Sequence, residues 1–276
     1  MNDTNAVCEL TFGYSPCPND TFAFHALSHG LVDAPFLITP VLLDIEELNR
    51  RAHHGEFDLT KLSVGAFAAV GDRYRLLRSG AALGEGVGPL VVTRTPMSLA
   101  DAVRGRVAIP GRETTAFSLL RLAAPMLGEV VELRYDRILD AVSKGDVDAG
   151  LIIHESRFTY QAHGLHQAVD LGDWWTNETG LPVPLAGICA RSDLDGDIVS
   201  AAESAIRASV QYAFDHPDAS RAYVQTNAQE MSSSVQAQHI ALYVNRFSLD
   251  IGDAGMQAID RLVGRGAWIR SNNGGR

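Results

Sequence analysis

The sequence predicts an α/β protein of two lobes with a ligand cleft between them. Short apolar runs alternate with amphipathic segments of helical length, a pattern typical of sheets covered by helices. At 276 residues the chain is long for a single hydrophobic core. Two extended passages, one near Arg94 and one at 181–187, suit chain crossings between lobes. We therefore expect a large discontinuous lobe, 1–94 plus 187–276, and a small lobe, 95–186.

The first part of the chain alternates strands with helices. Its apolar spacing predicts strands at 8–14, 36–43 and 58–63 and helices at 21–29 and 44–54. Gly30 and Gly55 follow the two helices, as glycines often do at helix C-termini. Asp44 and Glu47 have the spacing of a capping box, which supports the start of the second helix.

The turn after the first predicted strand brings a helix N-terminus directly to a strand end. Pro16 and Pro18 disfavour helix before Asn19, so the sequence predicts Asn19 or Asp20 as the N-cap. A helix N-terminus offers unpaired N–H groups that suit an anionic ligand. Ser15 begins this turn, and a purely structural turn is the alternative interpretation.

The third predicted strand contains a lysine, Lys61, and ends at Ser63. An unpaired buried charge is costly, so Lys61 must either meet an anion or emerge into a cleft. A lysine on an edge strand facing water is the alternative.

The second lobe repeats the alternation and predicts a parallel sheet with right-handed crossovers. Its strands are expected at 106–109 and 130–134, and its helices at 114–124 and 136–144. Thr114 and Thr115 open the first of these helices, where a hydroxyl either caps the helix or holds a ligand oxygen.

His154 follows the apolar run Leu151 to Ile153. Such a run predicts a strand buried on both faces, and ligands of open α/β sheets collect beyond the carboxyl ends of strands. A histidine there is a candidate general base because its ring titrates near neutral pH. A structural histidine bonded to a backbone carbonyl is the alternative.

The C-terminal quarter predicts scaffold helices at 198–214, 219–225, 235–244 and 254–263. Tyr243, Phe247 and Trp268 are assigned to packing. The two lobes with two crossings resemble the type II periplasmic-binding-protein architecture, whose closure would exclude water from the cleft.

Composition excludes several classes of function. The balance of 23 basic and 33 acidic residues gives a net charge of -10, which argues against nucleic acid and anionic membrane as partners. Three widely spaced cysteines suggest no disulfide framework, and the N-terminus lacks the pattern of a secretory signal, so a cytoplasmic protein is expected. The glycine-rich passage 80–89 contains no nucleotide-binding fingerprint, and we expect a loop or crossing there.

Two weaker candidates remain in the first helix region. His25 and His29 have the spacing of a helical metal pair, but no third ligand is evident, so no metal is predicted. Cys17 precedes a helix N-terminus, but no base is identifiable as its partner, so it is not predicted to be a nucleophile.

Six segments together resemble the 1,4-dihydroxy-6-naphthoate synthase family of the futalosine route to menaquinone. The resemblance covers residues 10–249, and its segments are Ser15-Pro-Cys-Pro-Asn-Asp-Thr-Phe, Thr60-Lys-Leu-Ser, Gly86-Val-Gly-Pro-Leu-Val-Val, Pro110-Gly-Arg-Glu-Thr-Thr, Arg134-Tyr-Asp-Arg and Ile153-His-Glu-Ser-Arg-Phe-Thr-Tyr. It implies a cytoplasmic enzyme without a cofactor, acting on a small anionic substrate, and is compatible with a homodimer. The implied reaction converts cyclic dehypoxanthine futalosine into 1,4-dihydroxy-6-naphthoate.

The resemblance also implies roles for particular residues. His154 matches the proton acceptor, and the substrate-contacting residues would be Lys61, Leu62, Ser63, Thr115 and Ala116. Further residues expected to bind or support the substrate are Ser15, Asn19, Asp20, Thr114 and Arg157. Glu113 departs from expectation, because a neutral or basic residue would suit an anionic substrate better.

The expected mechanism is proton abstraction by neutral His154, followed by cleavage of a carbon-carbon bond. Lys61 would pair with the substrate carboxylate or stabilise an enolate. Three rival functions share the predicted fold: a chorismate dehydratase of the same pathway, a solute-binding protein, and the effector domain of a transcription regulator. The Ser15 turn and the His154 segment favour the synthase, the absent secretory signal counts against a solute-binding protein, and no DNA-binding helix-turn-helix precedes Leu10.

Overall fold

A computed structural model describes residues 8–229 and 232–264. Its strands are β1 (Cys8–Tyr14), β2 (Phe36–Leu42), β3 (Leu59–Ser63), β4 (Tyr74–Leu76), β5 (Ala82–Gly84), β6 (Leu90–Thr93), β7 (Arg106–Ile109), β8 (Glu129–Glu132), β9 (Ala149–Ile152), β10 (His166–Asp170) and β11 (Val183–Arg191). Its α-helices are α1 (Pro18–Ser28), α2 (Ile45–Ala52), α3 (Phe67–Val70), α4 (Leu99–Ala102), α5 (Thr115–Ala123), α6 (Tyr135–Lys144), α7 (Ser156–Thr159), α8 (Leu171–Thr179), α9 (Gly196–Asp215), α10 (Arg221–Asn227), α11 (Ser233–Tyr243), α12 (Arg246–Leu249) and α13 (Gly252–Val263).

The strands form two sheets, and both are mixed rather than wholly parallel. The first has the order β2-β1-β3-β11-β4 with β5 paired to β11, and the second has the order β10-β6-β9-β7-β8. The strands expected to be parallel are so, because β1 runs with β2 and β3, and β7 runs with β8 and β9. The exceptions are β11 and β6, which are antiparallel to their neighbours. Both follow a crossing between sheets, so each enters from the end opposite to its neighbours.

The chain passes between the sheets at residues 85–89 and 180–182. These passages lie a few residues before the lobe boundaries that the sequence predicts, since β6 already belongs to the second sheet and all of β11 to the first. The division into lobes stays a prediction, and the sheets themselves define the two halves of the molecule below.

The structure differs from the local predictions in three places, although residues 85–89 do form the predicted crossing. Helix α1 begins at Pro18, with Cys17 at the N-cap position, so Asn19 and Asp20 lie in its first turn. A proline at the first helical position loses no hydrogen bond, because that N–H has no helical acceptor. Strand β5 lies inside the glycine-rich passage expected to be a loop or crossing, and the pair β10 and α8 was not predicted.

Each sheet has its own buried core. In the first, Phe12, Tyr14 and Phe24 pack with ring centroids 4.9 to 5.3 Å apart between the sheet and helices α1 and α9. In the second, Trp175 is buried and its indole N–H donates to the Pro182 carbonyl at 3.0 Å. Among the helices of residues 8–229 and 232–264, none combines the length and apolar character that a membrane crossing requires.

Candidate active site

A cleft of about 590 Å³, including the solvent-filled space at its mouth, lies where the two sheets face each other. The lining side chains are Asn19, Ile45, Lys61, Ser63, Ala82, Pro89, Thr114, Thr115, Ala116, Ile153, His154, Leu185, Ala186, His239 and Tyr243. We call this the main cleft. It brings together the ends of β3 and β9, the N-termini of α1 and α5, strand β11 and helix α11.

His154 lies two residues beyond β9 and has a left-handed backbone, with φ at +55°. This conformation is uncommon for residues other than glycine and is costly to hold. The Nδ1 atom lies 3.4 Å from Sγ of Cys17, and the ring meets that of Tyr135 edge to face at 4.9 Å. The backbone turn therefore points the imidazole back across the cleft.

The other ring nitrogen of His154, Nε2, is buried and has no hydrogen-bond partner among the described residues. Burial lowers the pKa of His154 to about 3, and the nearby Lys61 charge acts in the same direction. The imidazole is consequently neutral at pH 7, with a ring nitrogen available to accept a proton.

Lys61 is paired within the protein. Its Nζ lies 2.5 Å from Oδ1 of Asp20, and both side chains are almost fully buried. Asp20 also accepts from the Asn19 amide at 2.7 Å, the Ser15 N–H at 3.1 Å and the Ser15 hydroxyl at 2.6 Å. The lysine thus both meets an anion and reaches the cleft, and Asp20 offsets its charge.

The N-terminus of α5 opens onto the main cleft. The Thr114 hydroxyl accepts from the Phe117 N–H at 3.2 Å, which caps the helix. The N–H groups of Thr115 and Ala116 belong to the first turn, where no helical acceptor exists, and both residues line the cleft. The Thr115 hydroxyl donates to the Leu185 carbonyl at 2.6 Å and accepts from the Gly65 N–H at 3.1 Å.

Other residues named by the resemblance lie around the main cleft rather than in it. Leu62 is fully buried in the core of the first sheet, although its neighbours Lys61 and Ser63 line the cleft. Ser63 is held by Asn49, whose amide oxygen accepts from the Ser63 N–H at 2.9 Å. Ser15 and Asp20 lie behind Lys61.

Arg157 contacts protein rather than the cleft. Its guanidinium donates to the Gly88 carbonyl at 2.6 Å and to the Asp170 carboxylate at 2.6 Å. At this point Gly88 approaches the backbone of Gly172 so closely that a Cβ on Gly88 would lie 2.7 Å from the Gly172 nitrogen. Arg157 therefore fixes the passage that carries Pro89 into the cleft.

Glu113 does not line the cleft, and its charge faces His53. The two side chains meet with Nε2 of His53 2.6 Å from Oε1 of Glu113, while the Glu113 N–H donates to Glu46 at 3.2 Å. Glu113 therefore places no carboxylate in the cleft beside the N-terminus of α5, although the sequence has an acidic residue there.

Helix α11 supplies two cleft residues that the sequence analysis had assigned to scaffold. His239 and Tyr243 line the cleft, and Nε2 of His239 lies 2.9 Å from the side-chain oxygen of Asn19. Burial lowers the pKa of His239 well below its usual value, with the ring of His154 and Lys61 adding to the shift. The sequence signal for this face was the spacing of His239 and Tyr243, which are one helical turn apart and so lie on the same side of α11.

The structure also shows the surroundings of the two weaker candidates, Cys17 and the pair His25 and His29. Cys17 has a base beside it, His154, which could not be identified from the sequence. Burial and the charge of Glu155 raise the pKa of the Cys17 thiol, so it stays protonated. His25 and His29 pack with ring centroids 4.4 Å apart, and the described residues contain no group of three or more potential metal ligands.

Fold and site together define the class: a two-lobed α/β protein of the periplasmic-binding-protein type, with a buried histidine in its cleft. A Candida albicans protein described as having the generic periplasmic-binding-protein fold superposes with a TM-score of 0.69 at 16% identity, covering 92% of this chain and 89% of that one. This likeness concerns the fold.

The chain belongs to the menaquinone biosynthesis family, whose model matches residues 10–267. A Thermus thermophilus protein named 1,4-dihydroxy-6-naphthoate synthase is 55% identical over 254 residues, covering 92% of each chain. A Streptomyces coelicolor protein of the same name is 47% identical over 265 residues, covering 94% of this chain and 93% of the relative. The family resemblance in the sequence analysis is thereby confirmed.

Proposed function

We propose that this protein is a lyase that converts cyclic dehypoxanthine futalosine into 1,4-dihydroxy-6-naphthoate. The names of two relatives at 55% and 47% identity support the reaction. The single observation that carries the chemistry is His154, a neutral imidazole whose Nε2 is buried at the main cleft with no hydrogen-bond partner among the described residues.

The walls of the main cleft suit an aromatic carboxylate. The apolar side chains of Ile45, Pro89, Ile153 and Leu185 provide surfaces for a flat ring system. In the proposal the N–H groups at the start of α5 bind the carboxylate, because Lys61 is already paired with Asp20. The Ser63 hydroxyl and the Asn19 side chain are polar groups that hold the remaining oxygens.

In the proposed mechanism Nε2 of His154 removes a proton from a carbon beside a carbonyl. Lys61, whose Nζ donates one hydrogen bond to Asp20, uses its remaining N–H groups to stabilise the resulting enolate. The carbon-carbon bond to a three-carbon, sugar-derived fragment then breaks in a retro-aldol-type step. A hydroxyl of that fragment loses its proton to solvent and becomes a carbonyl, the bonding electron pair stays with the ring system, and the His154 imidazolium returns its proton there as the ring becomes aromatic. A positioned general base contributes roughly 10²- to 10⁴-fold, so orientation in the closed cleft supplies much of the remainder.

For Nε2 to act as the base, the proton of the neutral ring must reside on Nδ1. That N–H then donates to Sγ of Cys17. Cys17 would accordingly fix the tautomer, a task that a carboxylate or carbonyl usually performs for a catalytic histidine. We assign it as a positioning residue.

The decisive assay incubates purified protein with cyclic dehypoxanthine futalosine and no added metal or nucleotide. The expected result is 1,4-dihydroxy-6-naphthoate identified by mass, with no product from His154→Asn. Chorismate serves as the parallel substrate. Its consumption in place of the futalosine derivative would contradict the proposal in favour of a dehydratase. Binding of the futalosine derivative without any product would indicate a solute-binding protein.

A further inference from the structure

A second chamber lies on the other side of His154. It measures about 410 Å³ with the solvent at its mouth and is lined by Ser15, Pro16, Cys17, Asp44, Arg134, Tyr135, His154 and Gln229. His154 also lines the main cleft, so its imidazole stands between two spaces. Arg134 and Tyr135 belong to one of the segments that carry the family resemblance, and the proposed mechanism gives them no task.

The two spaces differ in chemistry. Six side chains of the main cleft are aliphatic, whereas the second chamber presents a carboxylate, a guanidinium, an amide and a phenol ring. Asp44 and Arg134 come from opposite halves of the molecule, at the starts of α2 and α6. Both side chains line the chamber, and the Arg134 guanidinium also donates to both carboxylate oxygens of Asp136.

This lining fits a neutral ligand with several hydroxyl groups. The chamber is lined by the Asp44 carboxylate and by the Arg134 guanidinium, whose charge is already paired with Asp136, so a second anionic group would gain little there. A carboxylate accepts hydrogen bonds from hydroxyl groups, and a guanidinium donates hydrogen bonds to hydroxyl oxygens. The two side chains together can therefore recognise neighbouring hydroxyls. The Tyr135 ring adds an apolar face, positioned by its edge-to-face contact with His154 at 4.9 Å.

We infer that the second chamber is a subsite for the hydroxylated, sugar-derived part of the substrate, with Asp44 and Arg134 as its specificity-determining residues. This inference rests on the proposed function. The substrate then spans both spaces, with its aromatic carboxylate part in the main cleft and its hydroxylated part beyond His154. The imidazole lies beside the junction, where the carbon-carbon bond breaks.

Asp44→Asn and Arg134→Gln test the subsite from two separate elements. Asp44 caps α2 by accepting from the Glu46 N–H at 3.0 Å, and asparagine caps equally well, so the fold is retained. The Arg134 side chain makes no capping bond to the α6 backbone, but it donates to the Asp136 carboxylate in the first turn, so the melting temperature of Arg134→Gln is measured beside its kinetics. Arg137→Gln is the matched control, because it removes the same charge from the same helix outside the chamber.

Each variant is assayed with two ligands: cyclic dehypoxanthine futalosine as substrate, and 1,4-dihydroxy-6-naphthoate as a product inhibitor that lacks the hydroxylated part. Loss of a charged hydrogen bond should raise KM for the substrate roughly tenfold or more in both variants. The inhibition constant of the product should change less than about twofold, because the product does not reach the substituted residues and distant sites are nearly independent. Arg137→Gln should have the KM and the inhibition constant of the wild type.

An unchanged KM in both variants, or equal weakening of substrate and product, would overturn the subsite while leaving the proposed function intact. A wild-type protein that makes no naphthoate would overturn the proposed function and the subsite together. The assay of the wild-type protein therefore distinguishes a failure of the subsite from a failure of the proposed function.

Discussion

Two sides of the main cleft treat their buried polar groups in opposite ways. The Asp20 carboxylate accepts hydrogen bonds from Ser15, Asn19 and Lys61, so its charge is fully engaged. His154 has only a weak contact to a thiol at Nδ1, no partner for Nε2 among the described residues, and an unfavourable backbone conformation. The Asp20 side thus contributes stability and a fixed charge, whereas the His154 side holds an unsatisfied base at a cost in stability, as the proposed mechanism requires.

Replacing the histidine should give the largest effect. His154→Asn should lower kcat roughly 10²- to 10⁴-fold, as for the loss of a positioned base. The melting temperature should stay the same or rise, because asparagine tolerates a positive φ and leaves no buried imidazole unpaired. Steady-state kinetics and calorimetry measure the two quantities. Retained turnover, or a collapse in thermal stability, would contradict the assigned division of roles.

Breaking the paired side should instead destabilise the protein. Asp20→Asn leaves Lys61 buried without its anion, which costs about 3–5 kcal/mol of unfolding free energy. Asp140→Asn is the control, because its pair with Lys144 is exposed and worth about 0–1 kcal/mol. Urea denaturation measures both. Equal losses in the two variants would show that the Asp20 side is not the structural one.

The free energy of unfolding should fall at acid pH because of His154. The folded state keeps His154 neutral down to about pH 3, while the unfolded chain binds a proton below about pH 6.5. Stability is therefore lost as the pH falls through this window, by about 2 kcal/mol between pH 7 and pH 5 from this group alone. Urea denaturation at several pH values should give a shallower dependence for His154→Asn. Parallel curves would refute the lowered pKa.

The smallest expected effect concerns the contact that orients the base. Cys17→Ala removes the acceptor for Nδ1–H and should lower kcat roughly tenfold, a typical cost for losing an orienting partner. Cys17→Ser keeps an acceptor and should recover part of the loss. The acid limb of the kcat profile should move only in the alanine variant. Cys189→Ala, also a buried thiol, controls for packing, and equal effects at the two cysteines would leave Cys17 without a positioning role.

Much of the fold follows from local patterns. The strand containing Lys61, helix α6 and the strand before His154 lie within a few residues of their predicted bounds, because apolar spacing and terminal glycines are local signals. Strand β10 was missed because its sequence alternates weakly, and its pairing with β6 depends on a partner more than 70 residues away.

The site divides in the same way. Sequence position indicates that His154 and the α5 N-terminus face a cleft, since strand and helix ends are local features. The partner of Lys61 could not be predicted, because Asp20 is 41 residues away and belongs to another element. His239 was missed because α11 has no clear apolar stripe that would mark which of its faces is covered.

The Thr115 hydroxyl has a further consequence for how substrate enters. It joins the first turn of α5 to Gly65 and Leu185, both on the opposite half of the protein. If the two halves of the protein separate to admit a ligand, these two hydrogen bonds must break, and the start of α5 then moves away from Gly65 and Leu185. In the proposed mechanism an open form would keep His154 and the start of α5 together, because both belong to the second sheet's half, but would move Lys61 of β3 away from them. A bound substrate would then meet the base and the lysine together only in the closed form.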